Sequence, residues 1–154
     1  AGLYAADKWK NYDKAAQFAQ KALQLDPSRA GAYVVLAQVY VVKEQWAELD
    51  KILAKSEKEL PDNFVPHYVS ARTLLLAGKD LARAERYFRK YLTQEPEGGT
   101  PPLAATHWRL GQVLEKLGRK DEAIKEIQLG VDLKPGLDKP ALEAAQKDLK
   151  RLKG

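Results

Sequence analysis

The stretch HWRLGQVLEKLGRKDEAIKEIQLGVDLKP, residues 107–135, holds two amphipathic helical segments that are separated by a polar break at residues 118–121. Apolar residues recur at helical spacing on both sides of the break, with Leu110 before it and Ile127 after it. Pro135 ends the second segment, because proline cannot continue a helix. Neither segment can bury its apolar stripe alone, so the stretch predicts a helix hairpin that packs against similar neighbours.

The hairpin pattern recurs along the chain with a nearly constant period. Prolines follow amphipathic runs 34, 35 and 39 residues apart, at Pro27, Pro61, Pro96 and Pro135. A second set of residues recurs with the same spacings, namely Ala15, Leu49, Ala84 and Ala123. Breaks between two helical segments are predicted at residues 10–13, 44–46, 78–80 and 118–121. No stretch alternates with period two, so the sequence predicts an all-α fold of repeated helix pairs.

Composition narrows the possible classes of function. Of the 154 residues, 45% are hydrophobic and 31% are charged, which is typical of a folded chain rather than a disordered one. The absence of cysteine excludes a disulfide framework, a thiolate zinc site and a cysteine nucleophile. No apolar run approaches the roughly 18 residues of a membrane span. We expect a soluble protein, and the composition fits either a cytoplasmic or a periplasmic location.

These hairpins resemble the tetratricopeptide repeat, whose pattern is W-x2-L-G-x2-Y, then A-x3-F, then P over 34 residues. In the fourth hairpin, which matches best, the pattern is carried by His107 (in the tryptophan position), Leu110, Gly111, Leu114, Gly118, Ala123, Ile127 and Pro135. The first hairpin retains Gly2, Leu3, Ala15, Ala22 and Pro27. The resemblance covers nearly the whole chain. It implies an all-α, right-handed superhelical solenoid of antiparallel helix hairpins, about 3.5 to 4 repeats long, with a C-terminal capping helix.

The repeat period also predicts the boundaries of the units. We expect a truncated first repeat at 1–29, a second at 30–63, a third at 64–98, a fourth with a longer preceding loop at 99–137, and the capping helix at 138–154. Arg72 and Tyr91 stand where the family usually has small residues, which predicts a local break in superhelical regularity across Pro96. The chain begins at Ala1 and contains no methionine, so we expect a longer native array.

The resemblance implies that the first helix of each repeat lines a concave groove. Residues at equivalent positions of successive repeats would then lie side by side along this groove. The groove candidates are Tyr4, Val34, Gln38, Val41, Val69, Thr73, Leu76, Trp108 and Gln112. Their largely aliphatic centre favours an amphipathic helix or an apolar extended peptide as the ligand, with Trp108 as the anchor. A basic rim of Arg72, Arg109 and Lys116 would steer acidic partners. The alternative is that some of the valines belong to the core.

Three other binding functions are alternatives. Family members that grip the acidic tails of chaperones use lysine, asparagine and arginine on these faces, and only Arg109 is near that pattern here. A basic stripe is formed by Arg83, Arg86, Arg89 and Lys90. It could contact the phosphates of a nucleic acid, but such a stripe is more typical of a solvated convex face. The third alternative is self-association through the N-terminal hairpin.

Catalysis is not expected from this sequence. His67 and His107 begin the first helices of adjacent repeats, but no further ligand supports a metal site between them. No phosphate-binding glycine loop is present. We therefore expect a non-enzymatic protein–protein interaction scaffold without a cofactor, and, by family analogy, part of a larger bacterial tetratricopeptide-repeat protein. The sequence does not identify its protein or peptide partner.

Overall fold

A computed structural model describes residues 2–96 and 100–154, with side chains from Lys8 onward. Within those ranges the chain is helical and has no strand, which confirms the all-α prediction. The helices are α1 (Gly2–Leu25), α2 (Ala30–Val42), α3 (Trp46–Glu59), α4 (Val65–Ala77), α5 (Leu81–Tyr91), α6 (Leu103–Lys116), α7 (Lys120–Asp132) and α8 (Lys139–Lys153). None of the helices in this part of the chain combines the length and apolar content that a membrane crossing requires.

The chain forms two compact bodies, and α4 contributes to both. The N-terminal body comprises Ala1–Ser70 and the C-terminal body comprises Ala71–Gly154. In the N-terminal body α2 packs against α1 and α3. In the C-terminal body α6 packs against α5 and α7, and α7 packs against α8. These five pairs of consecutive helices are therefore neighbours, as expected for a helical repeat.

Turns between paired helices depend on residues with a left-handed backbone. The φ angle is 66° at Gly78 and 79° at Gly118, a region that glycine enters without steric cost. Glu44, in the turn between α2 and α3, also has a positive φ of 56°. The breaks predicted after α2, α4 and α6 are therefore confirmed. Pro135 follows the end of α7 at Asp132, which agrees with the predicted role of proline at the end of a repeat.

The break predicted at residues 10–13 is wrong, because α1 continues from Gly2 to Leu25. The segment Lys10-Asn11-Tyr12-Asp13 contains neither glycine nor proline, and all four residue types are tolerated inside a helix. Each of the other three breaks contains a residue with positive φ. The first repeat is therefore one long helix rather than a hairpin.

An apolar cluster between α1 and α2 stabilises the N-terminal body. Its buried members are Ala19, Leu23, Ala32, Tyr33 and Leu36. The Tyr33 hydroxyl donates a hydrogen bond to the carbonyl oxygen of Pro27 at 2.6 Å. The largest side chain of the cluster therefore buries its ring without leaving its polar atom unpaired.

Two glycines allow α6 and α7 to approach closely in the C-terminal body. A Cβ atom at Gly111 would lie 2.3 Å from Cγ1 of Ile127, and one at Gly130 would lie 2.7 Å from the carbonyl oxygen of Ala104. Both distances are shorter than side-chain atoms adopt in folded proteins, so glycine is required at both positions while the helices keep this separation.

The connection between α5 and α6 is longer than the connection between α3 and α4. Residues 92–102 separate α5 from α6, whereas residues 60–64 separate α3 from α4; residues 97–99 lie outside the described ranges. Tyr91 is buried at the end of α5, and its hydroxyl donates to the carbonyl oxygen of Pro101 at 2.6 Å. The longer loop thus supplies the acceptor for the bulky residue in this position. The break in superhelical regularity stays a prediction.

The segment predicted as a capping helix forms α8. Asp138 precedes it and accepts a hydrogen bond from the backbone N–H of Ala141 at 2.9 Å, as an N-cap residue does. Three residues of its apolar stripe are buried, namely Ala145, Leu149 and Leu152. The helix therefore packs through the face that the sequence indicated.

We predict that Gly130→Ala destabilises the protein by about 1–3 kcal/mol, because the new methyl group meets backbone atoms that move only if the helices separate. Gly31→Ala is the matched control, since a Cβ atom at that position would have no neighbour within 4 Å; it should stabilise by up to about 1 kcal/mol. Urea denaturation followed by circular dichroism, at one protein concentration, measures both changes. Equal stability of the two variants would contradict the close approach of α6 and α7.

Candidate protein-interaction surface

The groove candidates in the N-terminal body differ in accessibility. Val34, Gln38 and Val69 are half-buried, so part of each side chain is accessible. Val41 is only 1% exposed, so its side chain lies in the interior. The alternative that some valines are core residues therefore applies to Val41. The side chain of Tyr4 lies outside the described residues.

A cavity of about 550 Å³ lies between α4, α6 and α8 in the C-terminal body. Its lining residues are Leu75, Leu76, Arg109, Gln112, Glu115, Lys116, Asp148 and Arg151. Two groove candidates and two rim candidates from the sequence analysis are therefore gathered around one cavity. Leu76 is 71% exposed there, so its apolar side chain is accessible from the cavity. The half-buried Arg72 and Thr73 of α4 do not line this cavity.

Helix α8 covers part of the predicted groove at Trp108. The indole N–H of Trp108 donates to the carboxylate of Asp148, with 2.9 Å between Nε1 and Oδ2. The side-chain amide of Gln112 donates to the same oxygen at 3.4 Å. The guanidinium of Arg109 lies 4.9 Å from the centroid of the Trp108 ring, which is cation–π geometry. Trp108 is therefore engaged by neighbouring residues of its own chain.

A second polar contact joins α8 to α6. The two terminal guanidinium nitrogens of Arg151, Nη1 and Nη2, donate to the two carboxylate oxygens of Glu115, with 2.9 Å between Nη2 and Oε1. Arg151 also lies 3.3 Å from Asp148. The hydrogen bonds from Arg151 hold the pKa of Glu115 below its ordinary value, and the hydrogen bond to Glu115 raises the pKa of Arg151. Both groups are therefore charged across the neutral range.

Arg109 and Lys116 are the other two basic residues that line the cavity, beside Arg151. Neither side chain forms an ion pair within residues 8–96 and 100–154, whereas Arg151 is paired with Glu115 and Asp148. The cavity therefore combines an apolar part, at Leu75 and Leu76, with two cations that are available to an acidic group.

Sequence analysis missed the contribution of Asp148 and Arg151. They lie 40 and 36 residues after their partners Trp108 and Glu115, so no local pattern connects them. The apolar stripe of α8 indicated that this helix packs against a neighbour. Asp148 and Arg151 lie on either side of that stripe. The sequence did not indicate which helix the charged flank faces, because that depends on tertiary packing.

The basic stripe of α5 is partly neutralised by acidic residues. Arg83 lies 2.9 Å from Asp80, and Arg89 lies 3.0 Å from Glu85. Arg119 reaches the other oxygen of Glu85 at 2.7 Å. The stripe therefore presents less free positive charge than its composition suggests, which weakens the argument for phosphate binding.

Both histidines bond to glutamates. The Nε2 atom of His67 lies 2.9 Å from Glu57, and the Nδ1 atom of His107 lies 2.7 Å from Glu126. In the part of the chain that the structure describes, no group of three or more histidine, aspartate and glutamate residues is placed to hold a metal ion.

The fold and this surface define the chain as a helical-repeat protein with helix hairpins and a concave, partly apolar site. Two segments, residues 3–29 and 104–136, match the tetratricopeptide repeat family. These two segments therefore match the repeat that the sequence pattern predicted, and such repeats support a protein–protein interaction scaffold in general. No curated protein matches the chain closely enough to count as a relative.

A similar fold is found in the crystal structure of MamA. The match has a TM-score of 0.59 and 17% sequence identity, and it covers 93% of this chain and 87% of that chain. At this level of identity the likeness shows the fold alone. It supports the helical-repeat architecture over nearly the whole sequence.

We predict that the contact between Glu115 and Arg151 loses its stabilising effect in acid. The folded-state pKa of Glu115 is lowered from 4.5, so its contribution is fully present above that value and is lost as the pH falls through the lower, folded pKa. Glu115→Gln should be less stable than the unmodified chain at neutral pH, and this difference should shrink in acid. Denaturation of both proteins between pH 7 and pH 3 measures it. A difference in unfolding free energy that does not change with pH would contradict the assignment.

Proposed function

We propose that this protein is an interaction scaffold whose C-terminal body binds an extended segment of a partner protein, in the cavity between α4, α6 and α8. The proposed segment carries an aliphatic side chain next to an acidic one. The observation that carries the proposal is the exposed Leu76 beside the unpaired cations Arg109 and Lys116.

Leu76 supplies the apolar part of the proposed contact. Burying a leucine side chain contributes roughly 1.5–3 kcal/mol, which is a large share of a peptide affinity in the micromolar range. Leu75, the adjacent lining residue, is already buried and supports this part of the cavity from within. A ligand therefore gains apolar contact without a rearrangement of the core.

The charged part of the cavity favours an acidic ligand. Among the described residues neither Arg109 nor Lys116 forms an ion pair with a carboxylate, whereas Glu115 and Asp148 are bound by Arg151. Trp108 supports this part indirectly, since its ring lies beside Arg109 and its N–H binds Asp148. We therefore assign Trp108 to positioning Arg109 and Asp148, and we assign the anchoring contact to Leu76.

The cavity size favours an extended peptide over a complete helix. A volume of about 550 Å³ is within the range of small-ligand sites and accommodates a few side chains. Outside this cavity, the accessible parts of Val34, Gln38, Val69 and Thr73 are further candidates for ligand contact.

Selection from a library of random linear peptides tests this function. The unmodified chain should enrich a consensus in which Asp or Glu stands beside Leu, Ile or Val. A double variant, Leu76→Asp with Lys116→Glu, should bind the selected peptides at least about tenfold more weakly, because it removes the apolar contact and reverses a charge. Fluorescence anisotropy with one labelled consensus peptide measures the affinities.

A matched control makes the same changes outside the cavity. Leu129→Asp with Lys125→Glu replaces another exposed leucine and an exposed lysine, both on α7. This control should bind like the unmodified chain, after circular dichroism has shown equal helicity. The proposal is wrong if no consensus emerges, or if the peptides bind the cavity variant as tightly as they bind the control.

A further inference from the structure

Helix α6 presents two side-chain N–H groups to a single carboxylate. The indole of Trp108 and the amide of Gln112 both donate to Oδ2 of Asp148, at 2.9 Å and 3.4 Å. Residues 108 and 112 are about one helical turn apart, so the two donors lie on one face of α6. Arg109 adds a positive charge beside them, since its guanidinium lies 4.9 Å from the centroid of the Trp108 ring. Together these groups form a carboxylate-binding position on α6.

The carboxylate that occupies this position has the chemistry of the proposed ligand. Asp148 and Gln112 line the same cavity as Leu76. Leu149 follows Asp148 in the sequence, so α8 carries an aliphatic side chain next to an acidic one, as the proposed partner segment does. A carboxylate of a partner reaches the two donors on α6 only when Asp148 leaves them.

The residues that are proposed to contact the ligand do not belong to α8. Leu76 lies on α4, whereas Arg109 and Lys116 lie on α6. The charged groups that α8 contributes to the cavity lining are one carboxylate, on Asp148, and one guanidinium, on Arg151. Departure of α8 therefore leaves the net charge of the lining unchanged. It frees the two donors on α6 and opens one side of the cavity.

The contacts of α8 are suited to reversible release. Its ion pair with Glu115 is partly exposed, since the side chain of Arg151 is 55% exposed, and exposed ion pairs stabilise a fold only weakly. The buried side chains of α8 are one alanine and two leucines, namely Ala145, Leu149 and Leu152. An element that is held by few buried apolar side chains opens more readily than the core of its body does.

We propose that α8 is an internal competitor that holds the interaction site in a closed state. In this state Asp148 occupies the carboxylate-binding position on α6. A partner binds when α8 detaches and an acidic side chain of the partner takes the place of Asp148. Residues 133–138 connect α7 to α8 and keep the released helix at a high effective concentration, so α8 returns when the partner leaves. This regulation rests on the proposed function and concerns the same site.

Leu152→Ala tests the release of α8 without changing the cavity lining. Leu152 is 6% exposed and lies outside the lining, so the substitution weakens the docking of α8 and keeps the ligand contacts. The affinity for the labelled consensus peptide, measured by fluorescence anisotropy, should rise at least about tenfold, because a larger fraction of the molecules is open. The matched control, Leu36→Ala, removes the same atoms from the core of the N-terminal body and should leave the affinity unchanged.

A cross-link that holds α8 on α7 tests the opposite state. The chain has no cysteine, so Gln128→Cys with Lys153→Cys can be joined selectively by a short bis-maleimide. The two native side chains are in contact, with 3.3 Å between Nζ of Lys153 and Oε1 of Gln128, and both lie outside the cavity lining. The cross-linked protein should bind the peptide at least about tenfold more weakly than the same variant before cross-linking.

Hydrogen exchange of the Trp108 indole N–H, measured by NMR, reports the release of α8 without any ligand. Exchange should be faster in Leu152→Ala than in Leu36→Ala, and slowest in the cross-linked protein. Equal exchange in these three proteins overturns the proposal. Equal peptide affinities of Leu152→Ala and the cross-linked protein also overturn it, while the proposed function stands. If neither the unmodified chain nor Leu152→Ala selects a consensus peptide, both the regulation and the proposed function are wrong.

Discussion

At the crossing of α6 and α7 the two backbones are so close that a methyl group at Gly111 would overlap Ile127. Gly130 imposes the same limit nearer the end of α7, against the backbone of Ala104 and Trp108. These contacts fix the position of Trp108 on α6. Because Trp108 and Gln112 bind Asp148, the crossing also determines where α8 lies. The cavity beside Leu76 is a consequence of that placement.

The same pairing of small and large residues describes most of the repeat. Ala37 and Leu53 correspond to Gly111 and Ile127 in the second repeat, and both are buried. The third repeat departs from this rule, since the corresponding residues, Arg72 and Phe88, are both large. Phe88 is fully buried while Arg72 is half-buried, as expected when a long side chain keeps its charged end accessible. The pairing of a small with a large residue therefore holds in the second and fourth repeats and not in the third.

The sequence predicted those features that depend on local chemistry. Left-handed turn residues such as Gly78 and Gly118, and prolines after the second helices, mark helix ends wherever they occur. Residues 10–13 contain no such signal, and there the family pattern suggested a turn that the local chemistry does not require. The network of Asp148 and Arg151 was not predictable, because its partners are distant in sequence and no periodicity specifies which neighbour a charged face meets. For the same reason Trp108 was assigned to a free groove, whereas α8 engages it.

A double-mutant cycle at the helix crossing tests the account most directly. Gly111→Ala should cost about 1–3 kcal/mol of unfolding free energy, and Ile127→Ala about 2–5 kcal/mol. When both are present, the smaller residue at 127 makes room for the methyl group at 111. The double variant should therefore be more stable than the sum of the two effects predicts, by at least about 1 kcal/mol. Additivity within about 0.5 kcal/mol would contradict the claim that contact between these two residues sets the separation of the helices.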